Sequence, residues 1–143
     1  MLKLLVIEDH ALVREGLVNV VRQLDDVVEV FDAGECGAGL ALAQCHPDLD
    51  LALLDLALPG AEGMSCLVLF RERFPALPVV IVSAYDDPHT VGRALKVGAS
   101  GFVPKSYSSG ALLVALRLVL EGQIFTPSPA PVLRPLVEAP PGQ

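Results

Sequence analysis

Basic residues are scarce in this sequence. Its 143 residues include 10 Lys and Arg against 17 Asp and Glu, so the formal net charge at pH 7 is -7. Binding to nucleic-acid phosphates needs a basic face, so this composition argues against a chain that itself binds nucleic acid. The histidines are few and scattered, which excludes a histidine-rich metal site: His10, His46 and His89.

Long hydrophobic runs are missing as well. No run approaches the ~20 apolar residues that a membrane-spanning helix needs. The first residues, MLKLLVIEDH, reach acidic side chains too early for a signal peptide. We therefore expect a cytoplasmic protein with no membrane partner.

Cysteine is sparse, and its spacing carries no motif. Cys36, Cys45 and Cys66 form no CxxC pair and no zinc-like pattern. Cysteines of this kind in a cytoplasmic protein are usually reduced and packed in the core or on helices. We expect three free thiols.

Apolar residues, by contrast, make up 52% of the chain, and its length suits one domain with a real core. Short runs of Val, Ile and Leu without polar alternation predict parallel strands that are covered on both faces. The strong candidates are residues 2–7, 51–54 and 78–82, and the weaker ones are 27–31 and 101–103.

Helical patterns separate these strands. An apolar stripe near the 3.6-residue period covers residues 12–24, and further helices are predicted at 34–44, 64–74 and 88–97. Gly98 is placed to end the fourth helix, and Ser108 or Ser109 to cap a fifth that ends near residue 121. A βα unit repeated five times predicts an α/β fold with a parallel sheet and helices on both faces.

The last residues, 126–143, have a different character. Their sequence, TPSPAPVLRPLVEAPPGQ, is too rich in proline for a regular helix or a central strand. We expect a folded domain over residues 1–125, followed by a linker or disordered tail that leads to a further domain of a longer protein. A naturally ragged end is the alternative.

Polar side chains follow four of the predicted strands. Ligands bind at the carboxyl ends of the strands in an open parallel sheet. The strands end in Glu8 and Asp9, in Asp55, in Ser83 and in Lys105. Clustered carboxylates repel one another unless a cation is present, and their oxygens suit Mg²⁺. An Asp can attack phosphorus, while a lysine and a hydroxyl bind the phosphoryl oxygens. The set predicts a magnesium-dependent phosphoryl acceptor.

Each of these residues also has a simpler explanation. Asp9 could cap the first helix, with Glu8 as its solvated neighbour, and Asp55 could begin a turn. Ser83 could be an ordinary strand-end hydroxyl and Lys105 a surface ammonium. The simple explanation is the better one for any single residue, but the combination on four strand ends favours the functional interpretation.

Four segments carry a family resemblance. They are VIEDHALVREGL (residues 6–17), LLDLALPGAEG (53–63), VSAYDD (82–87) and GASGFVPKS (98–106). Together they resemble the receiver domain of two-component response regulators over about residues 1–125. The likeness is strongest to the NarL/FixJ subfamily, whose members carry a LuxR-type DNA-binding domain.

The resemblance implies a fold and a metal site. The fold is the flavodoxin-like, doubly wound (βα)5 arrangement with a central five-stranded parallel sheet. Asp55 corresponds to the phosphoacceptor, and Glu8 and Asp9 to the acid pair, with Asp9 as the direct ligand of Mg²⁺. The backbone carbonyl of Ala57 corresponds to a further metal ligand.

The resemblance also implies a switch and its partners. Ser83 corresponds to the switch hydroxyl, Lys105 to the phosphate-binding lysine, and Phe102 to an aromatic ring that turns inward when the hydroxyl moves toward the phosphate. The partner is a sensor histidine kinase, and the resemblance allows a homodimer. DNA is bound only through a C-terminal output domain outside this sequence. The chain is then a signalling switch and not an enzyme, beyond catalysing its own phosphorylation and dephosphorylation.

Two alternatives stay open. One is a receiver-like protein-interaction module that works without phosphate, although the complete set Glu8, Asp9, Asp55, Ser83 and Lys105 speaks against it. The other is a flavodoxin-like cofactor binder or a small phosphatase. A nucleotide binder would need a glycine-rich loop after the first strand, where this chain has the acidic pair.

Overall fold

The computed structural model describes residues 1–57 and 63–127, so the predicted tail lies outside the described residues from position 128 onward. Five strands form one sheet, and each lies within two residues of its predicted position. They are β1 (Leu2–Ile7), β2 (Val28–Ala33), β3 (Leu51–Asp55), β4 (Val79–Ser83) and β5 (Gly101–Pro104).

The sheet has the order β2-β1-β3-β4-β5, and every neighbouring pair of strands is parallel. The chain therefore winds first to one side of β1 and then to the other. The direction changes between β1 and β3, and in such sheets the crevice at that point, at the carboxyl ends of the strands, is where ligands bind. The predicted doubly wound α/β fold is confirmed.

Among the described residues four helices connect the strands and a fifth follows β5, all close to the predicted positions. They are α1 (Ala11–Val21), which continues as a short 3₁₀ turn (Arg22–Leu24), then α2 (Cys36–Cys45), α3 (Gly63–Arg73), α4 (Pro88–Val97) and α5 (Ser109–Leu120). None of these described helices has both the length and the apolar character that crossing a membrane demands.

The helices cover both faces of the sheet. Helices α2, α3 and α4 bury Ala43, Phe70 and Ala94 against one face, while α5 and the end of α1 bury Leu116 and Val21 against the other. Successive strand residues point to opposite faces, and every residue of β3, β4 and β5 is buried. These three strands are therefore almost entirely apolar, whereas the edge strand β2 carries Glu29 and Asp32.

Local signals set several helix ends. The Ser108 hydroxyl accepts a hydrogen bond from the Ala111 N–H at 3.1 Å, as expected for the cap of α5. Gly98 ends α4 with φ of +123°, a conformation that favours glycine. The predicted start of α4 at Pro88 is confirmed, but its cap was not predicted: Asp87 accepts from the Thr90 N–H at 3.0 Å, directly before Pro88.

The expectation of three free thiols was wrong. Cys36, the first residue of α2, and Cys66, in the first turn of α3, form a disulfide with their Cα atoms 5.9 Å apart. Cys45 is a free, exposed thiol. The two bonded cysteines are 30 residues apart in sequence, and only the packing of α2 beside α3 brings them together.

After α5 the chain returns to the sheet. Gly122, with φ of +93°, turns it back, and Phe125 then pairs with the edge of β5. The Phe125 N–H donates to the Ser100 carbonyl at 3.1 Å, and the Phe102 N–H donates to the Phe125 carbonyl at 3.0 Å. A Cβ at Gly101 would lie 3.3 Å from that Phe125 carbonyl oxygen, so the close pairing favours glycine at this position.

Candidate functional site

The polar residues predicted from the strand ends meet at the carboxyl edge of the sheet. Glu8 follows β1, Asp55 ends β3 and Lys105 follows β5. The Lys105 Nζ reaches across β4 to lie 2.9 Å from Glu8 Oε1 and 3.3 Å from Asp55 Oδ2. Three strands therefore contribute charged groups to one small volume, which we call the carboxyl-end cluster: Glu8, Asp9, Asp55 and Lys105.

Three carboxylates of this cluster could hold a metal ion. Glu8, Asp9 and Asp55 each offer an oxygen, and these oxygens all lie within 4.8 Å of one another. Glu8 and Asp55 are only 1% and 3% exposed, whereas Asp9 is exposed to solvent. Solvent therefore reaches the site at Asp9, while Glu8 and Asp55 are shielded from it by the protein.

The charges in the cluster do not balance, because three carboxylates face one ammonium group. Burial raises the pKa of Glu8. The contact with Lys105 lowers this pKa and the charge of Asp55 raises it further, and the overall shift is upward. Burial alone would lower the pKa of Lys105, but Glu8 and Asp55 outweigh it, and that pKa is raised. The excess negative charge favours a bound cation.

One oxygen of Glu8 tests the fit of such a cation. Oε2 accepts a hydrogen bond from the His10 N–H at 3.1 Å. Oε1 lies beside the Lys105 Nζ, yet it has no hydrogen bond of good geometry from the described residues. We treat that close contact as an ion pair and not as a directed bond. Burying a carboxylate oxygen that accepts no hydrogen bond costs free energy. A divalent cation bound by this oxygen would offset that cost, so the three carboxylates fit a cation that prefers oxygen ligands.

The acidic residues are held in place by the backbone. Asp55 Oδ1 accepts from the Ala57 N–H at 3.1 Å, which turns the chain directly after β3. The turn proposed for Asp55 is therefore present, and it orients the carboxylate that faces Lys105. The proposed helix cap at Asp9 is not found, because the residue before α1 is His10, which makes no side-chain cap.

The predicted switch residues lie on the neighbouring strands. Ser83 is fully buried at the end of β4, and its Oγ accepts from the Tyr85 N–H at 3.0 Å. The Ser83 carbonyl accepts from the Lys105 N–H at 2.8 Å, which joins the ends of β4 and β5. Phe102 is fully buried among the residues that α2, α3 and α4 cover.

Arg14 is a positioning residue that the sequence analysis missed. One of its Nη atoms donates to the Glu8 carbonyl at 2.9 Å, and its Nε lies 3.0 Å from Asp32 Oδ2. It therefore ties the end of β1 to the neighbouring strand β2. Its place within the quoted segment VIEDHALVREGL was the only available signal.

Comparison with known proteins identifies the family. The model of the response regulator receiver domain matches residues 4–117. The chain belongs to the receiver-domain family of response regulators. The receiver domain of the putative response regulator NarL from Mycobacterium tuberculosis superposes with a TM-score of 0.77 at 32% identity, covering 85% of this chain and 98% of that one.

Two longer relatives are similar over most of this receiver domain. The glycerol metabolism activator of Pseudomonas putida is 39% identical over 127 residues, which are 89% of this chain and 58% of the relative. The nitrate/nitrite response regulator protein NarL of Escherichia coli (strain K12) is 33% identical over 91% of this chain and 60% of its own length. These matches support the NarL/FixJ subfamily, whose members are signalling proteins of transcription regulation. The chain spans less than two thirds of either relative.

Proposed function

We propose that this receiver domain is a phosphorylation-controlled switch. A sensor histidine kinase transfers a phosphoryl group to Asp55 in a magnesium-dependent reaction, and the modified domain controls a C-terminal DNA-binding domain of a longer protein in the cytoplasm. The observation that carries this proposal is the buried Asp55 carboxylate, 3.3 Å from the Lys105 Nζ and within 4.8 Å of the other two acids.

Asp55 is suited to nucleophilic attack. One of its carboxylate oxygens forms a bond to phosphorus while the bond from phosphorus to the donor nitrogen breaks, and the donor histidine takes up a proton. The rigid strand β3 and the Ala57 N–H hold the carboxylate, so little reorganisation is needed. The charge that develops on the phosphoryl oxygens is met by Lys105.

The remaining carboxylates have a different role in the proposal. Glu8, Asp9, Asp55 and the Ala57 carbonyl would hold Mg²⁺, which when bound offsets the charge of the carboxylates and of the phosphoryl group. Arg14 and the His10 N–H keep Glu8 in position. Asp9 keeps the site open to the partner protein.

The switch would begin at Ser83. Its Oγ gives up the bond from the Tyr85 N–H and turns toward a phosphoryl group on Asp55, which moves the connection between β4 and α4. Phe102 is already fully buried in this structure. We therefore assign the main conformational change on phosphorylation to Ser83 and the β4–α4 connection. An inward turn of the Phe102 ring has the smaller part in this proposal. The rearranged face would control homodimer formation or contact with the output domain.

Intact-protein mass spectrometry after incubation with acetyl phosphate tests the proposal. Wild type should gain one phosphoryl group only when Mg²⁺ is present, and Asp55→Asn should gain none. Asp48→Asn is the matched control, because it removes an exposed carboxylate at the opposite end of the sheet. An adduct that persists in Asp55→Asn at the wild-type rate would disprove the acceptor. No adduct from acetyl phosphate or from a histidine kinase would instead favour the phosphate-independent interaction module.

A further inference from the structure

The Cys36–Cys66 disulfide joins α2 to α3. Cys36 opens α2 at the carboxyl end of β2, and Cys66 lies in the first turn of α3. The two side chains are 5% and 0% exposed. The bond therefore joins the starts of two helices that both begin at the edge of the sheet where the acidic cluster lies.

A tight contact links Cys66 to the acceptor strand. Gly63, three residues before Cys66, begins α3, and its N–H donates to the Leu56 carbonyl at 3.1 Å. A Cβ at Gly63 would lie 2.2 Å from the Leu56 Cα, so the backbones touch as closely as glycine allows. Leu56 directly follows Asp55. A constraint on the first turn of α3 is thus transmitted to the residue next to the acceptor.

The core can pack around Cys36 and Cys66 whether or not the disulfide is formed. Both cysteines belong to the core cluster under α2, α3 and α4, and reduced cysteine packs as a small hydrophobic side chain. The dithiol and the disulfide can therefore both be accommodated, with the difference that only the disulfide holds α3 to α2 covalently. Cys45 is exposed and unpaired, so it serves as an internal control.

We propose that Cys36 and Cys66 form a redox site whose state sets the mobility of the contact between Gly63 and Leu56. In the disulfide form the first turn of α3, which carries Gly63, is anchored to α2. Less conformational entropy is then lost when the Ala57 carbonyl and Asp55 are ordered around a ligand. The consequence for phosphoryl uptake rests on the proposed function, but the redox site and its effect on mobility do not.

The oxidant is a small-molecule disulfide, and the chemistry is thiol–disulfide exchange. One cysteine thiolate attacks a sulfur of the small disulfide, forming a mixed disulfide and releasing one thiol. The second cysteine attacks the protein sulfur of the mixed disulfide and releases the second thiol. The protein loses two hydrogens and two electrons, and the small disulfide gains both. Exchange starts at Cys36, because Cys66 is fully buried and the start of α2 has no side-chain cap.

The test compares the protein in glutathione disulfide with the protein in an excess of a dithiol reductant. Alkylation in denaturant, followed by mass spectrometry, should find one cysteine outside the internal bond in the first sample, either alkylated or carrying one glutathione from exchange, and three alkylated cysteines in the second. Cys45→Ala should lower both counts by one and leave the redox change intact, whereas Cys36→Ala should abolish it. A pair that stays reduced in glutathione disulfide, or stays oxidised in the reductant, would overturn the redox site.

Hydrogen exchange without metal or phosphodonor tests the coupling. The Gly63 amide should exchange about 2- to 10-fold faster in the dithiol form, as expected for partial release of one ordered residue. Cys36→Ala should exchange at the dithiol rate under both conditions, and equal rates in the two wild-type forms would refute the coupling. If the redox change and the exchange difference hold but neither acetyl phosphate nor a histidine kinase leaves an adduct, the proposed function fails and this inference stands.

Discussion

The two ends of the sheet carry similar charged groups in opposite environments. The carboxyl-end cluster joins Lys105 to Glu8 and Asp55, while an amino-end cluster joins Lys3 to Glu29 and Asp48. The side chains of Glu29 and Asp48 are 48% and 58% exposed, against 1% and 2% for Glu8 and Asp55. The residue types are nearly the same, so burial is the main difference.

Burial reverses the sign of the electrostatic effect. The hydrogen bond from Lys3 lowers the pKa of Asp48, as pairing does in water. Glu8 is also paired with a lysine, yet burial raises its pKa. Water solvates Asp48, so pairing decides its pKa, whereas desolvation dominates the pKa of Glu8. The amino-end cluster is therefore a set of solvated surface charges. The buried carboxylates of the carboxyl-end cluster have the arrangement that could hold a cation.

The largest expected difference between the two lysines concerns reaction rate. Lys105→Ala should slow phosphoryl uptake from acetyl phosphate by a factor of about 100, since removing one preorganised donor to a developing charge has effects of that order. Lys3→Ala should leave the rate unchanged. Time courses of phosphoprotein formation at saturating Mg²⁺ measure both, and equal rates for the two variants would remove Lys105 from the mechanism.

Lys105→Ala and Lys3→Ala should also differ in their free energy of unfolding, although by less than they differ in reaction rate. Removing one partner of a buried ion pair costs roughly 3–5 kcal/mol, and because the Lys105 side chain is 26% exposed we expect about 2 kcal/mol for Lys105→Ala. Lys3→Ala should cost much less, because exposed ion pairs contribute little to stability. Urea unfolding without metal gives both values. The comparison of the clusters would be wrong if Lys3→Ala were the more destabilising change.

Glu8→Gln should stabilise the metal-free protein at neutral pH, by an amount on the order of 1 kcal/mol, because it removes a buried charge beside Asp55. The pKa of Glu8 is raised in the folded state, so wild type loses stability relative to the variant as pH rises through the range above the ordinary carboxyl pKa. The advantage of the variant should vanish at lower pH, where Glu8 is protonated in both states.

Glu29→Gln is the matched control for this pH dependence, because its carboxylate belongs to the exposed amino-end cluster. Unfolding curves at several pH values between the carboxyl range and neutrality provide the measurement. A stability gain in Glu8→Gln that did not change with pH would show that packing, and not the ionised state of Glu8, is responsible.

Salt should produce the smallest effect. The coupling between Lys3 and Asp48, obtained from a double-mutant cycle, should be small even at low ionic strength. It should shrink further in 0.5 M sodium chloride, as a rough choice well above physiological screening. The coupling between Lys105 and Glu8 should change less, because buried pairs are screened less. A larger salt effect at Glu8 would mean that water reaches this cluster freely.

Much of the candidate site could be predicted from the sequence. Asp55, Ser83 and Lys105 each stand at or just after the end of a strand, and the parallel order brings those ends to one edge. The exposure of Asp9 and the burial of Glu8, two adjacent acids, could not be predicted in this way. This difference in exposure depends on the path of the chain from β1 into α1, where Arg14 donates to the Glu8 carbonyl.

The sequence by itself determined the kind of elements and their order, because apolar runs, helical periodicity and caps are local signals that neighbouring residues carry. Only the tertiary structure decided that Cys36 meets Cys66, that Phe125 pairs with the edge of β5, and that Lys105 reaches Glu8. These contacts join segments far apart in the chain. Their formation depends on which helices and strands become neighbours, and burial then decides whether a charge is merely solvated or demands a partner.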